Sequence, residues 1–264
     1  MEKATSLRRA IELLLALADD EALSNGGRGV NRLADVLCDD KSRVSRTLQT
    51  LQEYGLVQRD PDTLAYRLGW RLYTLAARAS DAQLLAAAPA VVADLVDDVG
   101  ETAHLSVLVG DRVLTVISQV SPHSVVGTGW VGREVPAHCT SSGRALLLDH
   151  DVSELERLFG GPELPAGGER APRTVQELHE RIIEAREAGF AAVVDEHETG
   201  TAAAAVPVRD HRNRIVAALN VSGPAFRFEG SLVEAGERLR SAAVELAAAV
   251  GWRPRPGVET VGYR

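Results

Sequence analysis

The stretch Lys41–Leu51, KSRVSRTLQTL, decides the fold of the N-terminal third of the chain. Val44, Leu48 and Leu51 stand at i, i+4 and i+7 and share one face of a helix. The opposite face carries Ser42, Arg43, Arg46, Gln49 and Thr50, and no acid occurs between Lys41 and Leu51. Asp40 is a good N-cap, and Gly55 ends the helix after about Tyr54. Upstream, Leu7–Ala18 has helical apolar spacing. A loop, Ser24-Asn25-Gly26-Gly27-Arg28-Gly29, follows. Asn31 can cap a short helix through Leu37. Downstream, Leu56–Arg59 and Leu64–Leu68 flank a turn at Asp60-Pro61-Asp62 and read as a hairpin. Three helices and a hairpin in about 70 residues make a small winged domain of helix-turn-helix type.

A helix with apolar anchors on one side and donors on the other can lie in the major groove of DNA. Arg46 can be bidentate to guanine and Gln49 can read adenine. Lys41 and Ser45 complete the candidate set on this helix. Arg28, Arg59 and Arg67 can reach phosphates from the preceding loop and the wing. A charge run is usually only a solvated face. Here the short helix before it and the hairpin after it favour DNA. Asp39 and Asp40 are unusual neighbours for such a helix, and a structural role for them is expected.

Trp70–Ala79 reads as one more helix, apolar on two sides, and so as a linker that packs between protomers. A helix from about Pro89 to Val99 follows. His104–Val109 and Arg112–Val120 form a hairpin around Gly110-Asp111, and Val125–Trp130 is a third strand candidate. Helices are expected over Ser141–Leu148, Ser153–Phe159, Thr174–Ala188 and Glu229–Val250. Strands are expected over Phe190–Val194, Ala203–Val208 and Ile215–Ser222, and a surface loop over 160–173. No regular βαβ series results. The fold class is therefore α+β, with a largely antiparallel sheet flanked by helices. The expected domains are 1–69, a linker 70–88, a C-terminal domain 89–251 and a frayed tail 252–264.

Two segments of the C-terminal domain carry polar groups suited to a ligand. In PAHCTSSGRALLL, Pro136–Leu148, a helix opens at Thr140-Ser141-Ser142-Gly143, where free N–H groups favour an anion. Plain capping by Thr140 or Ser141 explains the same residues equally well. In AALNVSGP, Ala217–Pro224, alternation places Asn220 and Ser222 together on one strand face, which implies solvent or a small polar cavity. Other motifs fail. Gly127–Gly132 spells GxGxxG, but no helix follows it. Asp195-Glu196-His197-Glu198 lacks a second His or Cys at ligand spacing. His138 and Cys139 are sequence neighbours, not a nucleophile–base pair. No metal, cofactor or catalytic set is expected.

Composition agrees. The 264 residues are 45% hydrophobic and 25% charged, ordinary for a globular chain. No apolar run reaches the roughly 18 residues of a membrane span. Two cysteines, Cys38 and Cys139, fit a reducing cytoplasm. A net charge of −8 argues against a protein that coats nucleic acid over its whole surface, though not against one basic patch. Aromatics at 4% exclude a stacking platform for single strands. An enzyme on the α+β domain would need a nucleophile–base set that cannot be assembled. A protein-pairing module is disfavoured by the acid-free outer face of Lys41–Leu51.

The segments LADVLCDDKSRVSRTLQTLQEYGLVQRD with YRLG, then VPAHCTSSGRALL, GFAAVVDEHETGTAAAAVPVRD and IVAALNVSGP, together resemble the IclR family of bacterial transcriptional regulators. The resemblance runs from about Ser6 to Val250. It implies a winged helix-turn-helix head, a linker helix and a GAF-like effector-binding domain. It implies a cytoplasmic regulator, expected to repress, that binds double-stranded operator DNA as a homodimer or homotetramer. Its effector would be a small organic metabolite, a carboxylate or aromatic compound. By motif position the pocket would use Ser141, Ser142, Asp195, Ala203, Asn220 and Ser222. Val193 stands where some relatives place an acid, and Cys139 and Trp130 would line the cavity.

Overall fold

The computed structural model describes residues 3–76, 82–122 and 130–249. They fall into two compact units, Met1–Ala82 and Gln83–Arg264. The first holds helices α1 (Lys3–Ala18), α2 (Asp20–Ser24), α3 (Val30–Leu37) and α4 (Lys41–Glu53). Strands β1 (Val57–Arg59) and β2 (Tyr66–Leu68) and helix α5 (Trp70–Ala76) follow. The strands pair antiparallel, Val57 opposite Leu68 and Arg59 opposite Tyr66. One core joins α1, α3, α4 and the wing through Leu13, Leu17, Leu33, Val44, Leu48, Leu51, Val57 and Tyr66.

Helix α4 starts where the sequence puts it. The Asp40 carboxylate accepts from the Ser42 and Arg43 amides, two donors the helix leaves free. Asp39 accepts from the Arg9 side chain of α1, which ties the start of α4 to the first helix. Helix α3 instead begins at Val30 with Gly29 in the cap position, and the expected cap Asn31 lies exposed within its first turn. The chain before it is pulled into the wing. Arg28 and Tyr66 exchange two backbone hydrogen bonds of 2.9 and 2.8 Å. A Cβ on Gly27, at φ +125°, would stand 2.4 Å from the Tyr66 carbonyl oxygen, so only glycine fits there.

The second unit contains α6 (Ala82–Val99), β3 (Thr102–Val109), β4 (Arg112–Gln119), β5 (Glu134–Pro136), α7 (Ser141–Leu146), α8 (Val152–Phe159) and α9 (Val175–Ala188). It continues with β6 (Ala191–Val194), β7 (Thr201–Arg209), β8 (Ile215–Pro224), α10 (Ala225–Phe228) and α11 (Leu232–Ala249). The six strands form one antiparallel sheet in the order β5-β4-β3-β8-β7-β6. Alternation gives the sheet two faces. Ala103, Leu105, Val206, Leu219 and Val221 pack with α6 and α11. Val113, Ala205 and Ala218 share a second core with α7, α8 and α9.

Several boundaries differ from the sequence reading. Helix α6 begins seven residues before Pro89, which sits inside it. The N–H missing at Pro89 costs a helix about 3 kcal/mol. Burial of Leu84, Ala88, Val91, Val92, Leu95 and Val96 along one face offsets that. Edge strand β5 is too short for a period to show. The C-terminal helix is preceded by α10 and a 3-10 turn, Glu229–Ser231. The loop over 160–173 is not all surface: a Cβ on Gly168 would meet the Asp195 and Glu196 carbonyl oxygens at 2.6 and 2.7 Å. The strand expected over Val125–Trp130, the end of the linker helix at Ala79 and the tail from 252 fall outside the described residues, Trp130 excepted. No described helix is long and apolar enough to cross a membrane.

Leu48, fully buried, is the central α4 contact of the head. Leu48→Ala is expected to destabilise the head by about 2–5 kcal/mol. Gln49→Ala, one residue on and exposed, should stay within about 0.5 kcal/mol of the parent. Urea denaturation followed by circular dichroism checks both.

Candidate nucleic-acid interface and ligand cavity

Burying Val44, Leu48 and Leu51 forces the other side of α4 outward, and Lys41, Ser42, Arg43, Ser45, Arg46, Gln49 and Thr50 are all exposed. Not all of these groups are equally available. The Ser42 hydroxyl donates to Asp40 at 2.5 Å, and the Thr50 hydroxyl donates to the Arg46 carbonyl at 3.2 Å. Arg43 lies 3.7 Å from Asp39. Arg46 makes no ion pair among the described residues; its Nε donates to the Ser42 carbonyl at 3.3 Å. The carboxyls of Asp39 and Asp40 are held below the usual range, that of Asp39 chiefly by the Asp40 N–H and Arg9, that of Asp40 by the Ser42 hydroxyl and amide. Both stay ionised and committed to capping and pairing.

In the wing, Arg59 and Arg67 are exposed, and Arg59 lies over the Tyr66 ring at 5.5 Å. The Asp60 carboxylate accepts from the Asp62 and Thr63 amides and shapes the tip. Arg28 is a correction. Its side chain is only 6% exposed, and it donates to the Ala16 carbonyl at 2.9 Å and to Asp19 and Glu21 at 2.6 Å. It fastens the loop to α1 and α2 and is not free for a phosphate.

In the second unit, strand register brings dispersed polar residues together. His104 lies opposite Asn220, Thr102 opposite Ser222, and Ser106 opposite both Ala218 and Thr115. His104, Ser106, Asn220 and Ser222 therefore share the face of the sheet that α7 covers. A cavity of about 120 Å³ opens there. Eight of the residues picked from sequence line it: Trp130, Cys139, Ser141, Ser142, Val193, Ala203, Asn220 and Ser222. Asp195 does not. At φ +58° its backbone turns away, and its carboxylate accepts from the Gly200 amide at 2.7 Å to close the β6–β7 turn.

The sequence reading missed His104, Ser106, Thr115, His197 and Glu198. For the first two the signal was present: His104-Leu105-Ser106 alternates just as Asn220-Val221-Ser222 does. Helix α7 has only six residues, and Thr140 caps it by accepting from the Gly143 amide at 3.2 Å. Plain capping accounts for Thr140, while the Ser141 and Ser142 side chains border the cavity. A Cβ on Gly143 would sit 2.0 Å from the Ala137 carbonyl oxygen, so this turn closes only with glycine.

Electrostatics around the cavity oppose bond-making chemistry. Cys139 Sγ is 3.9 Å from His197 Nδ1, but burial and the nearby Glu196 push the thiol up to about 11. A nucleophilic cysteine needs the opposite shift. Glu196 is buried and accepts from Arg144 at 2.6 Å, with Arg181 at 2.8 Å. Burial brings His104 down to about 4, so its imidazole is neutral at physiological pH. No group of three metal-ligating side chains occurs among the described residues.

A basic helix displayed by a winged head, with a small, partly open cavity in a second α+β unit, defines a DNA-binding regulator equipped for a small ligand. The family model described as bacterial transcriptional regulator IclR C-terminal matches residues 76–248. Over 97% of its length the chain is 28% identical to the HTH-type transcriptional regulator KdgR of Escherichia coli, covering 96% of that protein. It is 26% identical to the transcriptional repressor IclR of Escherichia coli, over 93% of this chain and 90% of that one. An IclR homolog from Microbacterium hydrocarbonoxydans, solved in complex with 4-hydroxybenzoate, superposes with a TM-score of 0.76 at 25% identity, covering 93% of this chain and 99% of that one. The chain belongs to the IclR family and is a transcriptional regulator, not an enzyme.

Two outcomes test these assignments. Arg28→Ala is expected to destabilise the head, because it removes the buried guanidinium that holds the Ala16 carbonyl, Asp19 and Glu21 together. It should leave the salt dependence of DNA binding unchanged, as read by anisotropy titrations over a salt series. His104 provides a pH test. Its folded value, about 4, lies below the ordinary 6.5, so the unfolded chain takes up the proton first as pH falls. Stability is present in full above about 6.5 and declines between 6.5 and 4, by on the order of 3 kcal/mol for this group. His104→Gln should remove that part of the acid-side decline in denaturation curves taken across this range.

Proposed function

We propose that the protein is a repressor that reads duplex operator DNA with α4 and releases it, or grips it, according to a small organic metabolite in the C-terminal cavity. The observation that carries this reading is the two-sided α4, apolar anchors inside and Arg43, Arg46 and Gln49 outside. Arg46 and Gln49 take the base edges, and Lys41, Arg43, Ser45, Arg59 and Arg67 the phosphates. Arg46 is the best-placed donor on α4, since its guanidinium has no acidic partner among the described residues.

Assembly as a homodimer or homotetramer is supported by apolar surface on the head. Leu7, Ile11 and Leu15 recur at i, i+4 and i+8 on α1, and all are exposed, as are Trp70 and Tyr73 on α5. Patches of this kind mark protein contacts. Two heads held at a set spacing read a two-fold operator. Ser141, Ser142, Asn220 and Ser222 supply hydrogen bonds to the metabolite, and Trp130, Val193 and Ala203 supply apolar contact. The class expected from the resemblance, a small carboxylate or aromatic compound, agrees in size with the cavity and with the 4-hydroxybenzoate in the relative. The ligand acts by differential affinity for two arrangements of the heads, and the site of this regulation is the cytoplasm, where the DNA is.

The test is the double variant Arg43→Ala, Arg46→Ala on the promoter of the adjacent operon. Binding should weaken by about tenfold or more, and the slope of log K against log salt should shrink by about 1 for the phosphate contact of Arg43. Folding and oligomeric state, followed by circular dichroism and light scattering, should not change. A folded double variant that binds with parental affinity contradicts the assignment.

A further inference from the structure

Two walls of the cavity come from distant parts of the chain. Ser141 and Ser142 at the start of α7 supply one; Val193, His197 and Glu198, in β6 and the turn after it, supply the other. Beside them lies a charged cluster whose members do not line the cavity. Glu196 and Arg144 are only 6% and 4% exposed. The Arg144 guanidinium donates to the Ala192 carbonyl at 2.7 Å and to Glu196 Oε2 at 2.6 Å. The other carboxylate oxygen, Oε1, is 2.8 Å from Arg181 Nη1 on α9, which also donates to the Arg170 carbonyl at 2.8 Å. The Glu196 backbone is held as well, its carbonyl accepting from the Gly168 amide at 2.7 Å. One residue therefore joins α7, α9 and the 168–170 loop to the β6–β7 turn.

A buried carboxylate between two guanidinium groups is a costly way to fill space. Arg144 Nε has no hydrogen-bond partner among the described residues, and apolar side chains of similar volume avoid the desolvation. What the ions add is direction, since a charged hydrogen bond fixes a geometry that apolar contact leaves free. Each contact also falls close to a lining residue. Arg144 is two positions after Ser142, Ala192 one before Val193 and Glu196 one before His197. We propose that Glu196 is a positioning residue of the cavity. Without touching the ligand, it fixes through Arg144 the spacing between the Ser141–Ser142 wall and the Val193–Glu198 wall, and ligand affinity depends on that spacing. Arg181, 31% exposed, is the secondary arm. The consequence for binding rests on the reading of this cavity as the effector site; the positioning is a property of the folded chain itself.

The experiment compares the full-length parent with Glu196→Gln, Arg181→Gln and Leu155→Ala. The last is a control that loses a buried side chain of the core shared with α7. Hydrogen exchange is followed by mass spectrometry over 139–147 and 193–201, with urea added in steps below the unfolding transition. These segments hold the hydrogen-bonded amides of Arg144, Leu147, Asp195 and Gly200. In Glu196→Gln, exchange in both segments is expected to speed up by about tenfold or more and to be insensitive to low urea, which marks local opening. Leu155→Ala should speed exchange through global unfolding, with rates that climb with urea. Arg181→Gln should follow Glu196→Gln to a smaller degree, and it decides if Glu196→Gln does not fold. Protection kept at the parental level in either segment, or lost only in step with global unfolding, overturns the proposal. A second arm titrates 4-hydroxybenzoate into parent and variant by calorimetry. Affinity about tenfold weaker in Glu196→Gln is expected, and equal affinity in the opened variant overturns the proposal. A parent that takes up none counts against the effector reading and leaves the exchange result to decide the positioning.

Discussion

Everything in the head depends on one constraint: α4 must put Val44, Leu48 and Leu51 into the core and cannot then hide its other side. A 3.6-residue period with three buried positions leaves seven residues from Lys41 to Thr50 in solvent. The remaining contacts of the head set the pitch of that helix. Asp40 caps it, Asp39 ties it to Arg9, and Arg28 binds the preceding loop to Ala16, Asp19 and Glu21. Asp39 and Asp40, the acids at the start of the basic face, are thereby used within the protein. This reconciles a chain of net charge −8 with a DNA-binding surface: the sign of a patch, not of the whole, governs docking.

The second unit applies a similar economy to its sheet. The face toward α6 and α11 is aliphatic. The face toward α7 changes from aliphatic at Ala218 to polar at Asn220 and Ser222 within one strand. The close approach of α7 to Ala137 at Gly143 and the turn closed by Asp195 bound the cavity, beside the buried Glu196–Arg144 pair that the partly exposed Arg181 joins. A buried charge network of this kind adds little net stability but penalises any arrangement that separates its members. It therefore holds the β6–β7 end of the wall in one geometry.

Much of this was legible in the residues. The helical period and cap of α4, the wing and the alternation in β8 all rest on local pattern, and local pattern survives in the fold. The failures have a common cause, the competition between partners distant in sequence. Arg28 reads as a free loop cation until Asp19 and Glu21 are folded onto it. Asp195 reads as a pocket acid until its left-handed backbone directs the carboxylate to Gly200. Pro89 reads as a helix start because the tertiary packing that overrides its cost is invisible in the chain. His104 and Ser106 carry the same alternation as Asn220 and Ser222, but only strand register shows that they meet on one face.

The measurement that tests the central claim most directly is a structure of the full-length protein on its operator duplex. The account predicts α4 in the major groove, with the Arg46 guanidinium and the Gln49 amide within hydrogen-bonding distance of base edges and Val44, Leu48 and Leu51 still buried. A complex in which α4 faces away from the duplex, or in which DNA is held by another surface, would contradict it.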